Sequence, residues 1–442
     1  MKLILVQPAQ RPEAPYPLGL ALVASAIRAG GHDVGAMDSR RDSVAAIGRR
    51  ARSADLVLVS VPRGAEPEAA RIVRTISGTP VVVAGPDPSR RPDHWIEEVG
   101  AEWVVRGDGA EHSWGALPLW CESATRDLVR ALESGTAPER VPGIVGAGGA
   151  TGGPRPRDTE FWPTLQADRT LFPVADYCDG MLSRVRPYAP ILTSRGCDAS
   201  CAYCPVPGTA GVGFVSRSAE AILDEMLALH TNHGVRSIHV EDDRFARDSD
   251  RVMEICDLLI RQRPGDLTWE LPNGIRVGDV ATADILEAMA FAGCRSMTLS
   301  IERIRPPGSD GMACSEDLDH AAWVARRAER AGIAVDAYLM IGFPGETEAD
   351  IRYTLDRARE LMLVGVKISV LEPVAGSALA SNWPDDGSDR LATDQLRRLR
   401  RRGMLSHHGQ WPRLVPLAGL MLRHPSNLGP VMRKAVSVLS RG

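Results

Sequence analysis

Short runs of consecutive apolar residues alternate with amphipathic stretches along most of the chain, as expected of parallel strands buried on both faces and of helices that cover them. In the first third, apolar runs at 3–6, 34–37, 56–60, 81–84 and 103–106 read as strands, with helical periodicity at 18–29, 43–53, 66–76 and 94–99. This alternation predicts a flavodoxin-like, doubly wound α/β domain whose ligands belong at the carboxyl ends of the strands. The glycine-rich run 143–153, followed by Pro154 and Pro156, reads as a linker. A second series then begins, with strands at 191–194, 237–242, 268–271, 296–301, 335–341 and 366–371 and helices at 218–231, 248–261, 282–291, 318–331 and 348–362. Six such repeats are two short of a closed eight-stranded barrel and predict a partial (β/α)6 TIM-type barrel. The expected organisation is a Rossmann- or flavodoxin-type domain over 1–145, a bridging segment over 146–186, a barrel over 187–385 and a helical extension over 386–442.

Composition narrows the function classes. The 442 residues carry a net charge of −4, which argues against a general nucleic-acid binder, since phosphate neutralisation needs clustered positive charge. The balance is uneven: from Leu391 onward there are ten Lys and Arg against the single acid Asp394, so the tail carries +9 and the rest −13. A solvated helix face, a docking site for an acidic reductase, an anionic substrate or a peripheral membrane contact are the readings of that tail. No apolar run reaches the ~18 residues of a membrane span, and the N-terminal run is too short for a signal peptide.

The chemistry concentrates in 194–204, where Cys197, Cys201 and Cys204 are spaced by three and then two residues. One tight loop with this spacing presents three thiolates to three corners of an iron–sulfur cubane and leaves the fourth iron open. A structural zinc site is the alternative, but zinc prefers four ligands from paired elements, and no second pair follows. Ligation of this kind needs reduced thiols and points to the cytoplasm. Cys256 and Cys294 read as core, Cys121, Cys178 and Cys314 as isolated thiols.

The cysteine spacing, with Tyr203 just before the third thiol, resembles the cluster loop of the radical S-adenosylmethionine (SAM) enzymes. Further landmarks resemble the cobalamin-binding type of that family, in which a vitamin-binding domain precedes the barrel, as in the class B methyltransferases. They are Tyr16-Pro17-Leu18-Gly19-Leu20 at the first helix, Val82-Val83-Ala84-Gly85-Pro86, and Val104-Val105-Arg106-Gly107-Asp108-Gly109. On that resemblance Leu18, Gly19, Gly85, Pro86, Gly107 and Gly109 are the candidate cobalamin contacts. One departure stands out: no Asp-x-His-x-x-Gly motif, whose histidine ligates cobalt in many cobalamin proteins, occurs in the chain, and His32 reads as a turn residue.

For the barrel, the resemblance implies a [4Fe-4S] cluster and SAM held by residues at the strand ends. Asp242 and Asp243, with Glu241 behind them, are placed to hold the SAM ammonium by charge-assisted hydrogen bonds. Arg276 is the candidate for its carboxylate and Glu302, in Ser300-Ile301-Glu302-Arg303, for its ribose. Tyr203 and the loop Met340-Ile341-Gly342-Phe343-Pro344-Gly345, through Gly342, Pro344 and Gly345, complete the set around the adenine. No residue is singled out as catalytic beyond these.

The implied activity is cleavage of SAM to a 5′-deoxyadenosyl radical and cobalamin-dependent methylation of an unactivated carbon in a small molecule of natural-product or lipid-like kind. A flavodoxin or ferredoxin is the expected electron donor. A radical cyclisation, ring contraction or rearrangement is the second reading, and a non-catalytic iron–sulfur or zinc module the third.

Overall fold

The computed structural model of the protein describes residues 1–9, 16–106, 121–153, 155, 158–177, 185–204, 213–304, 317–374, 377–383 and 390–409. The chain divides into two compact units, Met1–Asp179 with Pro205–Val215, and Gly180–Cys204 with Ser216–Gly442.

In the first unit short apolar stretches make the strands, which are β1 (Lys2–Gln7), β2 (Asp33–Asp38), β3 (Leu56–Ser60), β4 (Val81–Ala84), β5 (Trp103–Val105) and β6 (Ile144–Val145). Of these, β3, β4 and β6 are buried from end to end, while the edge strand β2 is largely half-exposed. Their order is β2-β1-β3-β4-β5-β6; the first five are parallel and β6 closes the edge antiparallel to β5. Helices α1 (Leu18–Ala29), α2 (Val44–Ala51), α3 (Glu66–Thr75) and α4 (Pro86–Arg90) supply crossovers, and α2 starts where Ser43 accepts the Ala46 N–H. Strand order reverses between β1 and β3, the switch point at which doubly wound sheets bind ligands. There Ser60 donates to Gln7 Oε1 at 2.9 Å, in the last residues of both strands.

Two segments read differently from the sequence. Helix α5 (Cys121–Ser134) was not among the expected elements; its buried Cys121, Ala124, Thr125, Leu128 and Val129 recur at helical spacing, and it packs on α1. The glycine-rich run holds β6, because the Gly143 N–H bonds the Gly153 carbonyl and the Gly146 N–H that of Ala150, which folds the run into a tight return.

Residues 158–177, expected as a bridge, pack on the first unit. The Asp168 N–H bonds the Ala21 carbonyl at 2.9 Å, and Trp162, Phe172 and Tyr177 are buried. The Tyr177 hydroxyl donates to Asp38 Oδ2 at 2.8 Å while Arg40 lies over its ring at 4.1 Å. Burial alone raises the Asp38 carboxyl, yet the hydrogen bonds from Arg40 and Tyr177 outweigh it and hold that carboxyl below its usual range.

The second unit is a single parallel sheet in the order β7-β10-β11-β12-β13-β14, a six-stranded partial barrel. Its strands are β7 (Tyr188–Ile191), β10 (Ser237–Val240), β11 (Thr268–Arg276), β12 (Cys294–Glu302), β13 (Ala334–Ile341) and β14 (Gly365–Val370). Two-residue strands β8 (Ser194–Arg195) and β9 (Val215–Ser216) flank the cysteine loop in sequence. The connecting helices are α6 (Ala219–His233), α7 (Ser249–Gln262), α8 (Ala283–Phe291), α9 (Leu318–Ala331) and α10 (Glu348–Glu360). Each start is set by side-chain capping where Ser218, Asp248, Asp317 and Thr347 precede a helix, and Gly234 and Gly332 in left-handed conformation end α6 and α9. After β14 come α11 (Ala378–Ser381) and α12 (Thr393–His408), the latter packed along β14.

Alternation along the strands separates two faces. On β13, Val335, Ala337, Leu339 and Ile341 are buried against helices, while Asp336, Tyr338 and Met340 lie on the opposite, partly open face. Register carries that polar face across the sheet, since Tyr338 is level with Ser300 and Lys367. Its floor is buried: His239 is 1% exposed, stacks on Tyr188 at 4.2 Å, and burial pushes its imidazole down to about 3, so it is neutral.

The first strand of this unit lies three residues earlier than its apolar run suggests. β7 is an edge strand, so Pro190 is tolerated within it, and Thr193 and Ser194 are drawn instead toward Asp242.

The Asp38 arrangement makes a pH prediction. Its depressed carboxyl adds stability that is complete above the ordinary value of 3.8 and is lost as pH falls through the lower folded value. In thermal melts from pH 5 downward, Asp38→Asn is expected to flatten the acid limb for the first unit; an unchanged acid limb would refute the role.

Candidate functional site

The cysteine loop leaves β8 at Gly196, whose N–H donates to Asp243 Oδ2 at 2.9 Å, and turns where the Cys204 N–H bonds the Cys201 carbonyl at 3.1 Å. None of the three thiols is in a disulfide, and all three are partly buried. Burial pushes the Cys197 thiol up, and the neighbouring Cys201 and Asp243 add to this against the opposing Arg244. Among the described residues no three His, Cys, Asp or Glu side chains stand together as a group that could hold a metal ion, the three thiols included. The donor set, three sulfur ligands on one short loop with Cys197 and Cys201 in electrostatic reach of each other, fits an iron–sulfur cluster.

The far end of the loop is fixed by apolar packing. Ala202 and Tyr203 join Phe343, Leu371 and Leu379 in one cluster, the Tyr203 ring meeting Phe343 edge-on at 6.2 Å. The Leu379 N–H donates to the Ala202 carbonyl at 2.7 Å. Gly342, Pro344 and Gly345, predicted from a separate motif, therefore share a neighbourhood with Tyr203.

That second loop is organised by the residue that follows it, Glu346, to which no motif assigned a role. The Glu346 carboxylate is buried, accepts the Gly342 and Phe343 N–H groups at 2.5 and 3.0 Å, and pairs with Arg303 at 3.1 Å. Burial raises its carboxyl, with Arg303 and the two N–H groups opposing. Arg303 follows Glu302 directly, and the sequence signal for the pair is an acid immediately after Gly345. Gly342 has φ +87°, and a Cβ there would stand 2.8 Å from Leu396 Cδ1, so the loop approaches α12 closely.

The three acids after β10 separate in role. Asp242, expected to face the SAM ammonium, is 1% exposed. It accepts the Thr193 N–H and the Ser194 hydroxyl at 2.6 Å each, and the Thr193 hydroxyl as well. Burial raises its carboxyl, against the pull of Arg251. Asp243 sits against the start of the cysteine loop. Glu241 is in electrostatic reach of Tyr338 on the polar face, as is Glu302. Glu302 itself has φ +59°, a left-handed conformation costing roughly 1–2 kcal/mol outside glycine, where the register with β13 shifts. Arg276 ends β11 and is exposed.

In the first unit, Leu18 and Gly19 open α1 and are partly exposed, while Gly85 and Pro86 are buried at the end of β4. A Cβ on Gly85 would fall 2.2 Å from the Val61 carbonyl oxygen, so only glycine fits. Gly107 and Gly109 lie outside the described residues, as do Cys178 and Cys314; Cys121, Cys256 and Cys294 are buried. The Gln7 and Ser60 pair at the switch point was missed, because neither belongs to a motif. Among the described residues no helix is long and apolar enough to cross a membrane.

Residues 191–358 match the Radical SAM superfamily, a span that begins in β7 and ends in α10. An uncharacterised methyltransferase of Pyrococcus horikoshii is 26% identical over 386 residues, 82% of this chain and 77% of that protein. The cytidylyl-2-hydroxyethylphosphonate methyltransferase of Streptomyces wedmorensis is 24% identical over 228 residues, and there the match spans only 42% of the relative. Among solved structures, the radical SAM methyltransferase TsrM of Kitasatospora setae, with cobalamin and a [4Fe-4S] cluster bound, superposes with a TM-score of 0.71 at 21% identity. That match covers 89% of this chain and 76% of TsrM.

Truncating Glu346 to Ala strands the Arg303 guanidinium and two N–H groups. Loss of one partner of a buried pair is expected to cost about 3–5 kcal/mol, read as a lowered unfolding midpoint of the second unit; a shift no larger than that of a Glu287→Ala control, at an exposed position of the same unit, would refute it.

Proposed function

We propose, from the premise that the chain is a radical SAM protein, that it is a cobalamin-dependent methyltransferase acting on an unactivated carbon of a small molecule. The observation that carries this reading is the extent of the likeness to TsrM. It runs through both units rather than the barrel alone, and the solved relative holds cobalamin as well as the cluster. The methyltransferase name of the Pyrococcus relative, matched over 82% of this chain, supports the outcome.

In this proposal Cys197, Cys201 and Cys204 ligate three irons, and the fourth takes SAM. When bound, the cluster supplies the electron that cleaves SAM to a 5′-deoxyadenosyl radical, and cobalamin carries the methyl group. The chain's own residues orient and enclose. Asp243 offers a carboxylate to the SAM ammonium, Arg276 a guanidinium to its carboxylate and Glu302 an acceptor to its ribose. The loop from Gly342 to Gly345, held by Glu346, borders the adenine with Tyr203 behind it.

The polar face carrying Tyr338, Ser300 and Lys367 supports a substrate with hydrogen-bonding groups, of natural-product or lipid-like kind. Leu18, Gly19, Gly85 and Pro86, with Gly107 and Gly109, would border the cobalamin. A small flavodoxin or ferredoxin in the cytoplasm would deliver the electron.

After anaerobic reconstitution with iron and sulfide, the protein given SAM, a low-potential reductant and cobalamin is expected to form both 5′-deoxyadenosine and S-adenosylhomocysteine. Cys201→Ala should abolish the first product, and omission of cobalamin the second. Formation of 5′-deoxyadenosine with no S-adenosylhomocysteine would contradict methyl transfer; uptake of one zinc and no iron would contradict the enzyme reading altogether.

A further inference from the structure

We propose that Asp242 is a positioning residue that holds the start of the cysteine loop from behind, and not a ligand of SAM. The inference rests on the reading of Cys197, Cys201 and Cys204 as cluster ligands, and it concerns what presents them. Three of its contacts are made to two consecutive residues, Thr193 and Ser194, just before Gly196 and the first thiol. With its side chain fully enclosed, the carboxylate has no face toward a ligand.

A buried carboxylate needs a counter-charge, and Arg251 on α7 supplies it at 3.8 Å. Arg251 also reaches the same segment directly: it donates to Thr193 Oγ1 at 2.9 Å and to the Phe245 carbonyl at 2.8 Å. The pair thus grips Thr193 from two sides and joins the end of β7 to the loop after β10 and the first turn of α7. Asp243, one residue on, continues the row by accepting the Gly196 N–H. Consecutive carboxylates therefore fasten consecutive parts of the strand that leads into the thiols, and only the second remains partly exposed.

Asparagine at 242 keeps the shape and one carbonyl acceptor, but its amide cannot accept the hydroxyl protons and carries no charge to oppose Arg251. Three measurements separate positioning from ligation. In metal-free protein, Asp242→Asn is expected to speed amide exchange across 193–196 by about tenfold, the loss of roughly one hydrogen bond to a charged acceptor. In protein reconstituted with iron and sulfide but without SAM, it is expected to hold less than half the iron of the parent. The cluster that does form should be reduced at higher potential, because a buried negative charge has gone.

In the loaded fraction SAM affinity should stay within twofold of the parent. Thr193→Ala, which removes one hydroxyl, should show the same exchange effect in weaker form, and Arg251→Lys should restore part of the iron that Arg251→Ala loses. Normal exchange, normal iron and an unchanged SAM-free potential, together with SAM binding weakened about tenfold, would overturn the proposal and return Asp242 to the ligand set. Faster exchange in a protein whose parent takes up no iron would uphold the positioning role and count against the cluster reading alone.

Discussion

The enclosed carboxylate of Asp242 is the constraint on which the second unit's site depends. It is buried and faces Arg251, so its desolvation is offset only while Thr193 and Ser194 stay where they are and donate to it. Everything downstream inherits that placement: Gly196 meets Asp243, the thiols follow within one turn, and Tyr203 reaches the apolar cluster around Phe343. A second buried acid, Glu346, does the corresponding work for the loop after β13. The two carboxylates fasten the two loops, and the apolar contact of Tyr203 with Phe343 sets the distance between them.

This division explains why the sheet has two unlike faces. The helix side is apolar and close-packed, as a barrel exterior must be. The other side carries a neutral histidine, two strand-end glutamates, and a tyrosine and a lysine side by side at one level, an environment suited to a polar ligand rather than a packed core. Six strands leave this face open, where eight would close over it. In the first unit the strand order reverses between β1 and β3, where the buried Gln7 and Ser60 meet.

Much of this was legible in the residues. Apolar runs located the parallel strands most sharply where both faces are buried, as in β1, β3 and β4, and the cysteine spacing located the loop. The elements that escaped have physical reasons. β7 is shifted because Thr193 and Ser194 answer to a distant carboxylate rather than to strand periodicity. The antiparallel β6 hides in a glycine run whose return depends on backbone bonds. Residues 158–177 belong with the first unit because Tyr177 finds Asp38, a pairing 139 residues apart that no local pattern encodes. At the site, residue type at a strand end was readable, but which acid faces inward was not: Asp242 and Asp243 are adjacent in sequence, the first buried and the second partly exposed.

The central claim is that three thiolates hold a cluster whose remaining iron binds SAM. The most direct test is the electron paramagnetic resonance spectrum of the reduced, reconstituted protein before and after SAM is added. A [4Fe-4S] signal whose g-values shift on addition of SAM is the predicted result; a reconstituted cluster whose spectrum SAM leaves unchanged would contradict the account.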